Sequence, residues 1–133
     1  MGAVYRGRAE VVVTVARVLF VDDEEGFLEL YRSAFGREGY TVETAATVDE
    51  ARVRLARGGV HLVVLDIRLG ESSGLELLRE IKAADARLPV VLSTAYARYQ
   101  DDFSSWLADA YIVKSSDLGE LKRAVARCLE TAS

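Results

Sequence analysis

From Arg17 onward, short apolar runs alternate along the chain with segments whose apolar residues recur at helical spacing. This alternation predicts strands joined by helices, and such strands pair in parallel because each crossover passes through a helix. Right-handed crossovers of this kind place helices on both faces of one sheet. Five runs predict the strands: Val18–Val21, Thr41–Ala46, Val60–Leu65, Val90–Leu92 and Tyr111–Val113.

The predicted fold is therefore α/β: a five-stranded parallel sheet of strand order 2-1-3-4-5, doubly wound (flavodoxin-like) with five helices. The run Val60–Leu65, apolar apart from His61, is typical of a strand that is covered on both faces. Thr47 and Glu50 predict a capping box at the start of the second helix. His61 lies near the start of its strand, far from the carboxyl end, and is interpreted as structural.

Length and charge limit the kind of protein this can be. The 133 residues fit one domain, with residues 1–16 as an N-terminal extension (a tail or an extra strand within Val11–Val15) and residues 17–133 as the domain. A net charge of −4 argues against direct nucleic-acid binding through a basic face. No apolar run is long enough to span a membrane. The single cysteine, Cys128, cannot form an internal disulfide, so a cytoplasmic location is expected.

Polar residues follow the predicted strands at their carboxyl ends. Asp22 and Asp23 follow the first strand, Asp66 follows the third, and Thr94 and Lys114 lie at the ends of the fourth and fifth. The order 2-1-3-4-5 reverses between strands one and three, where a ligand crevice is expected. Two carboxylates about 4 Å apart repel by roughly 4 kcal/mol at an effective dielectric constant near 20, so a cation is expected among them. Oxygen ligands suit Mg²⁺, and with a lysine they predict a phosphoryl-transfer site.

Each of these residues alone has an ordinary structural explanation, such as a helix cap, a loop hydroxyl or a solvated lysine. Their joint order is more specific, and over residues 17–130 the sequence resembles the receiver domain of two-component response regulators. The resemblance lies in the stretches Val18–Glu24, Leu62–Leu69 with Gly74, Leu88–Ala95 and Tyr111–Lys114.

The resemblance implies a role for each matching residue near the acids. Asp66 would accept a phosphoryl group from the phosphohistidine of a sensor histidine kinase or phosphotransfer protein. Asp23 would bind Mg²⁺ directly, Asp22 largely through water, and the backbone carbonyl of Arg68 would be a further ligand beside Asp66. Lys114 would contact the phosphoryl oxygens. The domain would catalyse only its own phosphorylation and dephosphorylation and would not otherwise be an enzyme.

The resemblance also implies a switch. Thr94 would move toward the phosphoryl group, and Tyr111 would swing inward into the space that Thr94 leaves. The surface of the fourth helix, fifth strand and fifth helix would then change, which makes a homodimer through that surface an expectation. The last helix runs almost to Ser133, so we expect a stand-alone receiver or one excised from a longer regulator.

The sequence departs from the family pattern at several positions. Ser115 replaces the proline that usually follows the lysine, and we expect a trans Lys114–Ser115 bond, or a strained cis one, because cis costs roughly 2.5–4 kcal/mol before a residue other than proline. Gly70 stands where proline is frequent. Arg68 and Tyr96 occupy the variable positions that flank the phosphorylation site. A bulky Tyr96 would either shield the acyl phosphate from water, so that slow dephosphorylation is expected, or simply lie on the surface.

Alternatives of other classes remain open from the sequence. The chain could be a degenerate receiver that serves only as a binding surface. An aspartyl phosphatase is disfavoured because Arg68 occupies the position of the second acid in Asp-x-Asp. A nucleotide hydrolase lacks its Gly-x-x-x-x-Gly-Lys-Ser/Thr loop, and the acids in the first strand–helix turn disfavour a dinucleotide site.

The predicted fourth helix, residues 97–107, carries an aromatic stripe of Tyr96, Tyr99, Phe103 and Trp106. One interpretation is that Phe103, Trp106 and Leu107 pack on the sheet. The other is that part of the stripe is exposed and forms a partner or dimer surface.

Overall fold

The computed structural model describes residues 4–6, 12–95 and 106–132, with side chains from Val15 onward within those ranges. The elements in chain order are β1 (Val4–Arg6), β2 (Val12–Thr14), β3 (Arg17–Val21), α1 (Glu25–Arg37), β4 (Thr41–Ala45), α2 (Val48–Ala56), β5 (Leu62–Leu65), β6 (Arg68–Leu69), β7 (Ser72–Ser73), α3 (Gly74–Ala84), β8 (Val90–Thr94), β9 (Ala110–Val113) and α4 (Gly119–Ala132).

The main sheet has five parallel strands in the order β4-β3-β5-β8-β9. Counted along the five predicted strands this is the order 2-1-3-4-5, so the predicted fold class is confirmed. Four helices lie within the described ranges. The predicted fourth helix, residues 97–107, falls largely on residues 96–105 outside those ranges, so a fifth helix stays a prediction.

Two apolar cores lie on opposite faces of this sheet. Successive side chains of a strand point to opposite faces, so Val18 and Phe20 join one core while Leu19 and Val21 join the other. The first core lies under α1 and α4, and the second lies under α2 and α3. Strands β5 and β8 are fully buried, and β3 is buried except at Arg17, because helices cover both faces, as their apolar runs predict.

The N-terminal strands β1 and β2 form an antiparallel two-stranded sheet of their own. Strand β2 lies within the expected extra strand, whereas the pairing strand β1 carried no sequence signal. The division into residues 1–16 and 17–133 stays a prediction. Among the described residues, no helix is long and apolar enough to cross a membrane.

Local contacts involve several of the residues singled out in the sequence. The Thr47 hydroxyl accepts a hydrogen bond from the Glu50 backbone N–H at 3.1 Å, which confirms the predicted helix start. Nδ1 of His61 accepts the Arg17 backbone N–H at 2.8 Å, a structural role that joins the starts of β3 and β5. Cys128 is buried in the core under α1 and α4. The Lys114–Ser115 bond is trans, because no described peptide bond is cis.

The aromatic stripe is only partly described, since Tyr96, Tyr99 and Phe103 lie outside the described residues. Trp106 is 70% exposed and Leu107 is 46% exposed. The interpretation that these two side chains pack on the sheet is therefore wrong. Their position just before the edge strand β9 leaves them on the surface instead.

The carboxylate of Glu43 on β4 links two arginines. Arg17 donates to it at 2.6 Å, and Arg54 donates through Nε and through Nη2, the latter at 2.9 Å. The hydrogen bonds from Arg54, opposed by burial and reinforced by Arg17, lower the pKa of Glu43 to about 2. The carboxylate is thus favoured in the folded state relative to the unfolded chain.

We expect this ion-pair cluster to lose its contribution to stability as the pH falls from about 4.5 to about 2. The folded-state pKa lies below the unfolded value, so the contribution is fully present above the unfolded pKa. Glu43→Gln should lower the free energy of unfolding by about 1 kcal/mol at pH 7, the scale of a partly exposed ion pair. Urea unfolding at several pH values should show this difference shrinking in acid, and a constant difference would contradict the assignment.

Candidate functional site

The acids at the predicted switch point are brought together by the backbone pairing of three strands. The Asp66 N–H donates to the Val21 carbonyl at 3.0 Å, and the Asp22 N–H donates to the Ala45 carbonyl at 3.0 Å. Each aspartate is therefore held one step beyond the end of its strand. Both side chains are buried, with 3% of Asp22 and 6% of Asp66 exposed.

Lys114 reaches the same point from the end of β9. Its backbone N–H donates to the Thr94 carbonyl at 2.7 Å, which extends the pairing of β8 and β9 by one residue. Its ammonium Nζ lies 2.8 Å from a carboxylate oxygen of each of three acids, Asp22, Glu24 and Asp66. The ammonium also lies 4.4 Å from the centre of the Phe27 ring, within the range of a cation–π contact.

Burial and charge act against each other in this group. Burial raises the pKa of Asp22, and hydrogen bonds from Lys114 and from the Glu24 backbone N–H oppose that rise. Burial lowers the pKa of Lys114, but its hydrogen bonds to Asp22, Asp66 and Glu24 outweigh burial and hold the pKa above its ordinary value. The lysine therefore stays charged, and it offsets only part of the negative charge of its partners.

Four carboxylates form a cluster that offers hard oxygen ligands. One oxygen each from Asp22, Asp23, Glu24 and Asp66 lies within 4.8 Å of the others. Asp23 is exposed, and its carboxylate accepts the Gly70 N–H at 2.9 Å. Oxygen donors at this spacing, two buried and two exposed, fit the open coordination that Mg²⁺ prefers.

Glu24 is a member of the cluster that sequence reasoning missed. The sequence feature that points to Glu24 is its position directly after Asp22 and Asp23, at the end of the stretch Val18–Glu24. Position along a chain does not reveal which way a side chain turns, so an acid at the start of a helix is ordinarily interpreted as a cap. Here the Glu24 side chain makes no cap bond and turns to Lys114.

The loop after Asp66 is held tightly against the next helix. The Arg68 N–H donates to Asp66 Oδ1 at 3.3 Å, and the Gly74 N–H donates to the Ile67 carbonyl at 2.6 Å. A Cβ on Gly74 would lie 1.9 Å from the Asp66 carbonyl oxygen, far closer than any stable contact. Gly70 in the same loop has a φ of +61°, which glycine adopts without strain.

The two predicted switch residues lie on neighbouring strands. Thr94 is fully buried at the end of β8, and Tyr111 is half-buried on β9 opposite Leu92. Residues two apart on a strand share a face, so Thr94, Leu92 and Tyr111 all lie on one face of the sheet. A coupled movement of Thr94 and Tyr111 requires that their side chains lie on the same face of neighbouring strands, as they do here.

Behind Lys114, a buried tyrosine contributes a polar group. Tyr31 on α1 is 1% exposed, and its hydroxyl makes a hydrogen bond with the Ser93 side chain. Burial raises the pKa of Tyr31 to about 12, so the phenol stays protonated. Tyr31, Ser93 and Lys114 together line a cavity of about 170 Å³.

Comparison with known sequences matches this chain to one family. The sequence profile of the response regulator receiver domain matches residues 18–126. Relatives include the alginate biosynthesis transcriptional regulatory protein AlgB of Pseudomonas aeruginosa, 35% identical over 116 residues, and the regulatory protein AtoC of Escherichia coli, 32% identical over 124 residues. These matches cover 86% and 92% of this chain but only 26% and 27% of the relatives.

Solved structures give the same match. The response regulator TrrA of Thermotoga maritima, in complex with Mg²⁺ and BeF, has a TM-score of 0.83 and 40% identity over 86% of this chain and 99% of TrrA. A complex of TrrA with the histidine kinase ThkA matches with a TM-score of 0.81 and 41% identity, over 86% of this chain and 99% of that one. The fold, the acid cluster and these matches together show that the chain belongs to the response regulator receiver domain family.

Proposed function

We propose that this chain is a phosphorylation-dependent signalling domain in which Asp66 accepts a phosphoryl group from the phosphohistidine of a sensor histidine kinase or phosphotransfer protein. The observation that carries the proposal is the ammonium of Lys114 at 2.8 Å from the buried Asp66 carboxylate, among three further acids. Support comes from TrrA, a relative that has been solved with Mg²⁺ and BeF and in complex with a histidine kinase.

The transfer is a substitution at phosphorus. A carboxylate oxygen of Asp66 forms the new P–O bond while the P–N bond of the phosphohistidine breaks and its electron pair stays on the imidazole nitrogen. Water later hydrolyses the acyl phosphate, which returns the carboxylate and releases phosphate. The domain thus acts only on its own aspartate. Tyr96, two residues after Thr94 in the sequence, is expected to slow that hydrolysis.

Asp22, Asp23, Asp66 and the Arg68 carbonyl would hold Mg²⁺. When bound, the ion offsets the negative charge that gathers on the phosphoryl oxygens. Lys114 binds a phosphoryl oxygen from the side of β9 and keeps its proton, because its carboxylate partners hold its pKa above the ordinary value.

The readout follows from Thr94 and Tyr111, which share a face of the sheet next to the site. Thr94 turns toward the phosphoryl group, and Tyr111 fills the space that it leaves. The surface of the predicted fourth helix, β9 and α4 changes as a result, and a second copy of the chain docks there. Exposed apolar side chains on this surface support that proposal: Trp106, Leu107 and Val113.

Any partner other than the kinase remains a prediction, and so does the cytoplasmic location. AlgB is named a transcriptional regulator, but this chain spans only 26% of it, and the acidic chain itself is not proposed to contact nucleic acid. The aspartyl phosphatase alternative is not favoured, because Arg68 supplies no second acid.

Uptake of a phosphoryl group from acetyl phosphate tests the proposal. Intact-mass spectrometry should detect one added phosphoryl group per chain in Mg²⁺ and none when the metal is chelated. Size-exclusion chromatography with beryllofluoride and Mg²⁺ should show a dimer if the second copy docks as proposed. No uptake in Mg²⁺ would instead support a degenerate receiver that serves only as a binding surface.

A further inference from the structure

Lys114 has no spare hydrogen-bond donor in this structure. An ammonium group carries three N–H donors, and three carboxylates each accept one at 2.8 Å: Asp22, Glu24 and Asp66. A phosphoryl group that approaches Asp66 needs one of those donors while the Asp66 carboxylate still accepts its own. The resting arrangement therefore has to give up a contact before Lys114 can bind a phosphoryl oxygen.

We propose that Glu24 is a positioning residue that occupies the exchangeable donor of Lys114 in the resting domain and is displaced when Asp66 is phosphorylated. The inference rests on the proposed function and adds a control on its rate. Exposure identifies Glu24 as the acid that Lys114 releases. Its side chain is 58% exposed, whereas Asp22 is 3% exposed and Asp66 is 6% exposed. Exposed ion pairs exchange with water at little cost, whereas a buried carboxylate that loses its partner is strongly destabilised.

The backbone of Glu24 is fixed, so only its side chain has to move. Its carbonyl accepts the Phe27 and Leu28 N–H groups at 3.0 and 3.2 Å, and its N–H donates to Asp22 Oδ1 at 2.9 Å. Its carboxylate makes no cap bond to α1. A rotation about side-chain bonds releases Lys114 without disturbing the helix start.

The charge of Glu24 has two opposite consequences. Its oxygen lies within 4.8 Å of oxygens of Asp22, Asp23 and Asp66, so it strengthens the attraction for a divalent cation. It also holds Lys114 and adds negative charge where an anionic phosphoryl donor arrives. Removing the charge should therefore weaken Mg²⁺ binding and, once the metal is saturating, speed phosphoryl uptake.

Glu24→Gln separates these effects, with Glu25→Gln as the matched control. Glu25 is the next residue, is similarly exposed at 62%, and pairs with Arg32 rather than Lys114. In saturating Mg²⁺ we expect Glu24→Gln to take up phosphoryl from acetyl phosphate about fivefold faster and to bind beryllofluoride about fivefold more tightly, the factor set by one exposed ion pair. The Mg²⁺ dissociation constant, measured by calorimetry, should rise by a similar factor. Glu25→Gln should stay within about twofold of the wild type in all three.

The outcomes distinguish this inference from the function on which it rests. If the wild type takes up no phosphoryl group, the proposed function fails. If the wild type is labelled but Glu24→Gln and Glu25→Gln behave alike in saturating Mg²⁺, the role of Glu24 is wrong and only general surface charge matters. Slower uptake by Glu24→Gln, with the thermal unfolding midpoint unchanged, would likewise overturn the inference, since Glu24 would then assist the transfer.

Discussion

Asp66→Asn should reduce phosphoryl uptake from acetyl phosphate in Mg²⁺ by at least about a thousandfold, because losing the group that forms the covalent bond costs orders of magnitude in rate. Asparagine has nearly the same shape, and its oxygen can still accept the Arg68 N–H. Lys114 keeps its contacts with Asp22 and Glu24. The loss of uptake therefore reports on the nucleophile and not on the fold.

The measurement is intact-mass spectrometry over a time course, with circular dichroism to show that the variant is folded. Asp109→Asn is the matched control, since Asp109 accepts hydrogen bonds from Lys82 and from the Val90 N–H at 2.8 Å, remote from the Asp66 site. It should be labelled as fast as the wild type. Full labelling of Asp66→Asn would mean that another acid, such as Asp22 or Asp23, is the acceptor.

Gly74→Ala should lower the free energy of unfolding by at least about 3 kcal/mol, the upper range for substitutions that force a backbone shift. The new Cβ would meet the Asp66 carbonyl oxygen at 1.9 Å and the Asp66 carbonyl carbon at 2.9 Å. Both are backbone atoms of the residue that carries the site, so relief requires moving the loop from Asp66 to Gly74. Phosphoryl uptake should fall in the molecules that remain folded.

Gly36→Ala is the control for the general effect of replacing a glycine. A Cβ there meets nothing within 4 Å, and Gly36 lies inside helix α1. Alanine is the better helix former, so a gain of about 0.5–1 kcal/mol is expected. Urea unfolding compares the two variants. Equal stabilities of Gly74→Ala and the wild type would show that the loop relaxes at little cost.

Sequence reasoning reached the acid site because its residues are defined by position along the strands. Asp22, Asp66, Thr94 and Lys114 each lie at or just beyond the end of a predicted strand, and parallel pairing brings strand ends to one edge. The trans Lys114–Ser115 bond could be predicted because a cis bond before a residue other than proline is costly wherever it occurs. These are local or periodic features, which a chain displays without its fold.

Other features depend on directions and distances that no local pattern contains. The side chain of Glu24 turns away from its helix toward Lys114, a residue 90 positions along the chain. Trp106 fits a helical stripe and Leu107 follows it, but both side chains lie exposed. Tyr31 lies on the buried apolar face of α1 with Leu28 and Phe35, yet its hydroxyl bonds to Ser93 behind the site.

The sequence by itself determined the α/β class, the strand order and the edge at which the acids gather, because hydrophobic period and crossover handedness leave few arrangements. The tertiary structure alone decided that Lys114 shares its three donors among Asp22, Glu24 and Asp66. It also decided that Gly74 must lack a side chain, since the Asp66 carbonyl occupies that space. In both cases the atoms belong to residues that are separated along the chain and meet only when the chain packs. Packed atoms lie within about 4 Å of one another, and at that distance only one arrangement of these groups fits.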